Sequence, residues 1–325
     1  MKKINKSSKI FLAGHKGLLG HSVSQALNRE GYHNIITRTS KELDLTNQKN
    51  VKKFFEKNYF DLVILSAAKA GGIKAHINNK SQFIYENLMI ASNVIKCSYE
   101  NKIKNIIFFA SNCIYPELCP QPIKENYLLS GKLEKNISYY AIAKILGLKL
   151  CEAFNKQYKT RYKVIIPPNL LGSNDNFDLQ SAHVAPALLN KFHNAKIKGL
   201  KSVSVWGDGK QTREFLYVED LADFIIYLIQ NWYKADNYFF NKTYINVGTG
   251  IETSIKELSR KIVDLIKYGG KIIFDKKNPA GTPIDSFIES DVVHNEQTTY
   301  FAKNVGIGTT SPSEKLEVVG TVKAT

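Results

Sequence analysis

The alternation of short apolar runs with helical patterns is the feature that most limits the fold of this sequence. Five apolar runs of strand length lie at residues 10–13, 34–37, 62–65, 106–110 and 164–166. Between them, apolar side chains recur at the helical period, as in residues 18–27, 51–55 and 83–95. Strands that alternate with helices need crossover connections, which place parallel strands side by side. We therefore predict an α/β fold with a doubly wound parallel sheet, whose ligands bind at the carboxyl ends of the strands.

A glycine loop follows the first predicted strand and opens the first predicted helix. In this three-glycine spacing, Gly14 allows a tight turn, Gly17 lets a pyrophosphate approach the backbone, and Gly20 lets the helix pack on the strand. The unpaired N–H groups at the start of such a helix bind phosphate. The loop Gly14-His15-Lys16-Gly17-Leu18-Leu19-Gly20 therefore predicts a Rossmann-type dinucleotide site.

The residues near the end of the second predicted strand indicate which dinucleotide binds. An acidic residue there favours NAD and a basic residue favours NADP. Arg38 follows that strand and Lys16 lies in the glycine loop, so both cations can pair with a 2′-phosphate. We therefore predict NADPH as the cofactor. Asp44 and Leu45 are placed to reach the adenine edge, although Asp44 fits an ordinary helix cap almost equally well.

A second group of residues predicts reductase chemistry. Tyr140 and Lys144 are four residues apart in a helical segment, which places a phenol and an ammonium on one face. A phenol with a pKa of about 10 transfers protons poorly at neutral pH unless a neighbouring cation and a cofactor ribose lower that pKa, and Lys144 can supply the cation. Ser111 follows the strand at residues 106–110, where its hydroxyl can polarise a substrate carbonyl.

Charge and hydropathy exclude several other classes of protein. The formal net charge is +16, from 45 Lys and Arg against 29 Asp and Glu. The lysines are spread along the chain without a nucleic-acid-binding motif, so the excess favours small anionic substrates. No apolar run approaches the roughly 20 residues that cross a bilayer, and no signal-peptide core follows the basic start. We expect a cytoplasmic protein with neither a nucleic acid nor a membrane as a partner.

The four cysteines, Cys97, Cys113, Cys119 and Cys151, show neither the paired short spacing of a zinc site nor the density of a disulfide framework. We expect no metal. Taken alone, Cys113 fits a buried apolar thiol, and His183 a core histidine, somewhat better than catalytic groups. A thiol and an imidazole nevertheless titrate close enough to neutral pH for acid-base work.

Several further motifs are recognisable along the chain. They are residues 13–20, 67–73 (AAKAGGI), 111–116 (SNCIYP), 140–144 (YAIAK), 174–177 (NDNF), 183–189 (HVAPALL), 205–207 (VWG), 213–220 (REFLYVED) and 246–250 (NVGTG). Over roughly residues 9–283 the chain resembles the extended short-chain dehydrogenase/reductase superfamily, and within it the GDP-L-fucose synthase family. The segments around Cys113 and His183 are specific to this branch.

The resemblance implies an NADPH-dependent 3,5-epimerase and 4-reductase that converts GDP-4-keto-6-deoxy-D-mannose to GDP-L-fucose. It implies Cys113 as the base and His183 as the acid of epimerisation, and Tyr140 as the proton donor in reduction. Ser111 would hold the carbonyl oxygen, and Lys144 would tune Tyr140. Lys191, Trp206 and Arg213 would face the nucleotide sugar. The resemblance extends the cofactor-binding set to Ala67, Ala68, Lys144, Pro168, Asn169, Leu170 and His183, and it implies a homodimer.

The organisation that we expect divides the chain into three parts. Residues 1–170 form an NADP-binding Rossmann domain, to which residues 214–250 return. Residues 171–213 and 251–290 form a smaller, discontinuous substrate-binding lobe. Residues 291–325 change in character: Gly, Thr and Ser replace the helical pattern, and the segment resembles parts of phage tail fibres and bacterial surface proteins.

Several residues depart from the family pattern. Lys191 stands where the family usually has Arg, which reduces a bidentate phosphate contact to a point charge. The family sequence Asp-Gly-Thr-Pro-Arg-Lys reads here as residues 280–285, AGTPID, so two substrate-side cations are missing. Two alternatives therefore stay open: an enzyme for another GDP-4-keto sugar such as a heptose, or a non-catalytic surface-associated protein that keeps the reductase fold.

Overall fold

A computed structural model describes residues 3–234, 239 and 242–278, and the backbone of residues 305–307 and 316–318. The first half contains β1 (Ile10–Ala13), α1 (Leu18–Arg29), β2 (Ile35–Ile36), α2 (Gln48–Glu56), β3 (Leu62–Leu65), α3 (Ile73–Asn78), α4 (Lys80–Glu100), β4 (Asn105–Phe109), α5 (Ser138–Tyr158) and β5 (Arg161–Ile166). The second half contains β6 (Asn169–Leu171), α6 (Val184–Ile197), β7 (Ser202–Trp206), β8 (Thr212–Tyr217), α7 (Val218–Gln230), β9 (Tyr244–Asn246), β10 (Glu252–Ser254), α8 (Ile255–Ile266), β11 (Lys271–Asp275), β12 (Val305–Ile307) and β13 (Leu316–Val318).

Six of these strands form one parallel sheet in the order β2-β1-β3-β4-β5-β9. In its centre, Ile10 is in register with Leu62, and Leu65 with Phe108. The predicted doubly wound parallel sheet is therefore confirmed. All residues of β1 and β3 are buried, since helices cover both faces of the sheet, and this explains why these strands are continuous apolar runs.

The two faces of the sheet belong to two separate cores. Phe11 and Ala13 of β1 point into the core that includes Phe55 of α2 and Leu148 of α5. Ile10 and Leu12 of the same strand point into the opposite core, formed with side chains of α1 and α7. This is the period-2 alternation of a strand. Each fully buried Leu, Ile or Phe contributes about 1.5–3 kcal/mol, so both helical layers are held firmly against the sheet.

A smaller lobe follows the fifth strand of this sheet. There β7 and β11 pair in parallel, and α6 and α8 pack around a third core that includes Phe192, Val205 and Ile262. A three-stranded sheet, β10-β8-β6, joins β6 to β8 in parallel and β8 to β10 antiparallel. Between these parts, α7 packs on α1 and β9 completes the edge of the six-stranded sheet.

Within the described residues, no helix combines the length and apolar character needed to span a membrane. The atypical segment 291–325 lies outside the described residues, except that the backbones of β12 and β13 pair in parallel. The departure at residues 280–285 also lies outside them.

Candidate active site

The carboxyl ends of five neighbouring strands lie along one edge of the six-stranded sheet. In the spatial order β2, β1, β3, β4 and β5, these ends lead into Arg38, the glycine loop, Ala67-Ala68, Ser111 and Pro168-Asn169-Leu170. The sheet therefore places the predicted cofactor and catalytic groups one after another along a single edge. This is the edge at which parallel α/β sheets bind ligands.

The glycine loop, residues 14–20, is packed too tightly for side chains at two of its three glycines. Gly14 has φ +92°, and a Cβ there would lie 2.5 Å from the backbone nitrogen of Ala67. A Cβ on Gly20 would lie 2.1 Å from the carbonyl oxygen of Gly14. At Gly17, by contrast, the nearest atom would be the Gly14 oxygen at 3.5 Å, an ordinary contact. The protein itself therefore leaves room at Gly17, as expected where a diphosphate approaches the backbone.

Two further observations fit a dinucleotide at this loop. Gly17 is the N-cap of α1 and provides no side-chain cap, and the first turn of α1 carries no acidic residue. Among the described residues, the buried Nδ1 of His15 has no hydrogen-bond partner. Lys16 is exposed, as is Arg38, whose guanidinium lies 5.6 Å from the centre of the Phe54 ring.

Asp44 is not a helix cap, so that alternative is wrong. Its Oδ1 accepts hydrogen bonds from the Thr46 backbone N–H at 2.9 Å and from the Thr46 hydroxyl at 2.7 Å. The N-cap of α2 is instead Asn47, whose side chain accepts from the Asn50 N–H. The Asp44 turn is a local Asx-type turn. Leu45 packs against the core beneath it.

Ser111 and Cys113 lie at the carboxyl end of β4. Ser111 precedes a short 3₁₀ turn, Asn112–Ile114, that carries Cys113, and its hydroxyl lies 3.1 Å from the Asn112 Oδ1. The Asn112 backbone N–H donates to the carbonyl oxygen of Pro167, which joins this turn to the end of β5. Cys113 carries a partly buried thiol.

Tyr140 and Lys144 lie one turn apart on α5. The buried Lys144 Nζ donates a hydrogen bond of 2.8 Å to the carbonyl oxygen of Phe109 and lies 5.6 Å from the centre of the Tyr140 ring. Burial lowers the pKa of Lys144 to about 8, and the nearby Cys113 thiol opposes this shift.

The pKa of the Tyr140 hydroxyl is raised, by burial first and by the Cys113 thiol second. We expected Lys144, together with a cofactor ribose, to lower this pKa, whereas burial of the hydroxyl in the protein by itself raises it. The Tyr140 hydroxyl therefore holds its proton at neutral pH, and the raised pKa makes it a weaker acid than an ordinary phenol.

His183 is held by a close backbone contact between two loops. It is the N-cap residue of α6. The Gly72 N–H donates to the carbonyl oxygen of Ser181 at 2.8 Å, and a Cβ on Gly72 would lie 2.1 Å from the carbonyl oxygen of Ala182. The glycine-containing turn that follows β3 therefore sets the position of His183. Burial lowers the pKa of the His183 imidazole, which makes its protonated form a stronger acid.

A cavity of about 270 Å³ brings these groups together. Its lining includes Ser111, Cys113, Tyr140 and His183. It also includes the three residues predicted to face the nucleotide sugar: Lys191 from α6, Trp206 from β7 and Arg213 from β8. Lys191 lies 5.7 Å from the centre of the Trp206 ring. Among the other predicted cofactor residues, Asn169 lines the cavity too.

One titratable residue in this wall was missed from the sequence. His76 of α3 is buried, and its ring centre lies 5.2 Å from that of Tyr140 and 4.0 Å from that of Phe83. Burial, and then the charge of His183, lower the pKa of His76 to about 4. The imidazole is therefore neutral at neutral pH. Its only signal in the sequence is its place shortly after the AAKAGGI motif.

The chain is similar to one family of enzymes and to individual proteins of known function. Residues 10–248 match the NAD dependent epimerase/dehydratase family. The GDP-L-fucose synthase of Escherichia coli (strain K12) is 41% identical over 277 residues, which cover 85% of this chain and 86% of that protein.

Two solved structures from Campylobacter jejuni are also similar. A GDP-6-OMe-4-keto-L-xylo-heptose reductase superposes with a TM-score of 0.84 at 36% identity, over 90% of this chain and 93% of that one. A GDP-mannoheptose C4 reductase with NADP bound has a TM-score of 0.79 at 38% identity, over 89% of this chain and 92% of that one.

Proposed function

Because the chain belongs to the NAD dependent epimerase/dehydratase family, we propose that it is an NADPH-dependent 3,5-epimerase and 4-reductase that converts GDP-4-keto-6-deoxy-D-mannose to GDP-L-fucose. The observation that carries this proposal is the single cavity lined by Ser111, Cys113, Tyr140 and His183. A thiol, an imidazole, a phenol and a hydroxyl around one space are the groups that epimerisation and reduction need.

Epimerisation uses the acidity that the carbonyl at carbon 4 gives to carbons 3 and 5. A base on one face of the sugar removes a proton, and an acid on the other face returns one, through an enolate. We assign Cys113 as the base and His183 as the acid, first at carbon 3 and then at carbon 5.

Reduction needs a proton at the carbonyl oxygen. NADPH, when bound, supplies the hydride for carbon 4. We assign Tyr140 as the donor of the proton, because it lines the cavity together with Ser111 and its hydroxyl is protonated at neutral pH. Ser111 would hold the same oxygen by a hydrogen bond. Lys144 supports Tyr140 from within the wall, where its ammonium lies beside the ring.

The cofactor would be held along the sheet edge. We assign the diphosphate to the glycine loop, where Gly17 leaves room, and the 2′-phosphate to Lys16 and Arg38, both exposed cations. Asp44 and Leu45 would border the adenine. The remainder of the dinucleotide would contact Ala67, Ala68, Lys144, Pro168, Asn169, Leu170 and His183.

The substrate would be held on the other side of the cavity. Lys191, Trp206 and Arg213 would bind its GDP portion, with Arg213 suited to the diphosphate.

We also propose the domain division described above, residues 1–170 with 214–250 for the dinucleotide and 171–213 with 251–290 for the substrate. The separate core around β7 and β11 supports this division.

We propose that the protein is a cytoplasmic homodimer. Exposed apolar side chains on two helices that pack together, Tyr85 of α4 with Tyr139 and Ile142 of α5, support a protein interface, which sedimentation would test.

The test is NADPH consumption by the purified protein on GDP-4-keto-6-deoxy-D-mannose in heavy water, with the product analysed by NMR. Oxidation of NADPH together with deuterium at carbons 3 and 5 would establish both activities. Oxidation without deuterium at these carbons would leave a 4-reductase only. Failure to bind NADPH would contradict the proposal and favour a non-catalytic protein.

A second candidate is supported by the structural likeness to the GDP-heptose reductase, whose TM-score is 0.84. The same catalytic groups would then reduce a GDP-4-keto-heptose. Only substrate comparison separates the two functions. A kcat/KM on the heptose substrate at least tenfold above that on the 6-deoxy sugar would favour this candidate.

A further inference from the structure

Lys74 lines the cavity, although no motif of the sequence assigned it a role. It is the second residue of α3, and α3 begins at the Gly71-Gly72 turn that contacts the segment before His183. Its side chain is partly buried. Lys74 therefore belongs to the same wall as the catalytic groups, and a tight backbone contact determines its position.

The wall of the cavity has an excess of positive charge. Among its described lining residues, Lys74, Lys191 and Arg213 are cationic and Glu134 is the one carboxylate. Glu134 is already engaged, because its oxygens accept hydrogen bonds from the backbone N–H groups of Asn136 and Ile137 and from the Asn136 side chain. Its single negative charge is outnumbered by the three cations of the lining.

The charges of Lys74 and Lys191 interact. The pKa of Lys191 is lowered, by burial first and by the charge of Lys74 second. Lys74 also acts weakly on Asp178, but the oxygens of that exposed carboxylate accept from Ser181 and Gln180. Two like charges held near each other in a partly desolvated wall repel, and a bound anion between them removes that repulsion.

We propose that Lys74 is a further substrate-binding residue, which completes with Lys191 and Arg213 a three-cation cradle for the diphosphate of a nucleoside diphosphate sugar. The three cations come from α3, α6 and β8, so they meet only in the folded chain. This inference rests on the proposed function, because the GDP portion of the substrate is the anion. The dinucleotide cofactor also carries a diphosphate, and the experiment must separate the two ligands.

The experiment measures GDP binding and NADPH binding by calorimetry for the wild type and for Lys74→Gln, Lys74→Arg and Lys80→Gln. Lys80 is the matched control, since it is an exposed lysine nearby that does not line the cavity. We expect Lys74→Gln to weaken GDP binding about tenfold, as for the loss of one charge-assisted hydrogen bond, and to reduce its dependence on salt. We expect Lys74→Arg to keep most of the affinity, and NADPH binding to stay unchanged in all variants.

Equal GDP affinity in Lys74→Gln and the wild type would overturn the inference while leaving the proposed function intact. So would a loss of NADPH affinity in place of GDP affinity. No GDP binding by the wild type would overturn both the inference and the proposed function. Circular dichroism melting of each variant shows whether it is folded, and if Lys74→Gln unfolds, Lys74→Met, which removes the charge but keeps an unbranched side chain, makes the same test.

Discussion

The Nζ of Lys144 donates its hydrogen bond to the carbonyl oxygen of Phe109, 2.8 Å away, and this joins α5 to the last residue of β4. Ser111 follows Phe109 by two residues, and Tyr140 precedes Lys144 by one helical turn. One buried contact therefore sets the distance between the two groups proposed to act on the same carbonyl oxygen. Lys144 therefore also has a structural role, because its hydrogen bond positions α5 against β4.

Removing the phenolic hydroxyl should separate the two half-reactions. We expect Tyr140→Phe to lower kcat for NADPH oxidation by a factor of about 100 or more, because general acid catalysis contributes on that scale. Binding of NADPH and deuterium exchange at carbons 3 and 5 should persist. Tyr139→Phe, at the neighbouring, exposed position, is the control. Native turnover by Tyr140→Phe would remove Tyr140 from the mechanism.

The lowered pKa of Lys144 predicts an alkaline limb in the pH profile. The free protein holds the ammonium below a pH of about 8 and loses it above, so kcat/KM should fall as the pH rises through that value. In Lys144→Arg the guanidinium stays charged, so the limb from this group should disappear even if overall activity is lower. The measurement is kcat/KM between pH 6 and pH 10. If kcat/KM falls at the same alkaline pH in the wild type and in Lys144→Arg, another group causes that decrease.

The contact at Gly72 predicts a remote effect on His183. In Gly72→Ala the new methyl group would meet the Ala182 carbonyl oxygen at 2.1 Å, so the segment that carries His183 must move. We expect a loss of about 1–3 kcal/mol in the free energy of unfolding and slower deuterium exchange at carbons 3 and 5. Gly269→Ala is the matched control, since a Cβ there meets nothing within 4 Å. Native exchange by a stable Gly72→Ala would show that this contact does not position His183.

The open space at Gly17 predicts a change in binding without a change in stability. A Cβ there makes only an ordinary 3.5 Å contact with Gly14, so Gly17→Ala should alter the free energy of unfolding by less than about 0.5 kcal/mol. NADPH binding should weaken at least about tenfold, because the methyl group would occupy the approach of the diphosphate. Thermal melting and calorimetry measure the two effects. Unchanged NADPH affinity would place the diphosphate elsewhere.

Much of the large parallel sheet was predictable, because its strands are buried on both faces and stand out as apolar runs. The smaller elements were not. The sequence did not predict α3, β6, β8, β10, α8 or β11. Apart from the amphipathic helix α8, these are short or half-exposed segments that lack a strong apolar period. For example, β11 alternates exposed and partly buried residues, and its pairing with β7 depends on a partner some 70 residues away.

The residues of the candidate site were predictable where they belong to a sequence motif. They were not predictable where only the folding of the chain brings them to the cavity. Gly14, Tyr140 and Lys144 are recognisable from their spacing. His76 and Lys74 are not, because nothing in the sequence shows that α3 lies against Tyr140 and Lys191. The role of Asp44 and the raised pKa of Tyr140 also depended on the fold, since local hydrogen bonds and burial decided them.

The sequence by itself determined the α/β class, the dinucleotide loop and the types of reactive group, because periodicity and spacing are local properties of a chain. Only the tertiary structure decided which groups share the cavity, which of them lose water, and which cations line the same wall. The physical reason is that desolvation and Coulomb interactions depend on distance in space, and residues such as Lys74, Lys191 and Arg213 are far apart in the chain.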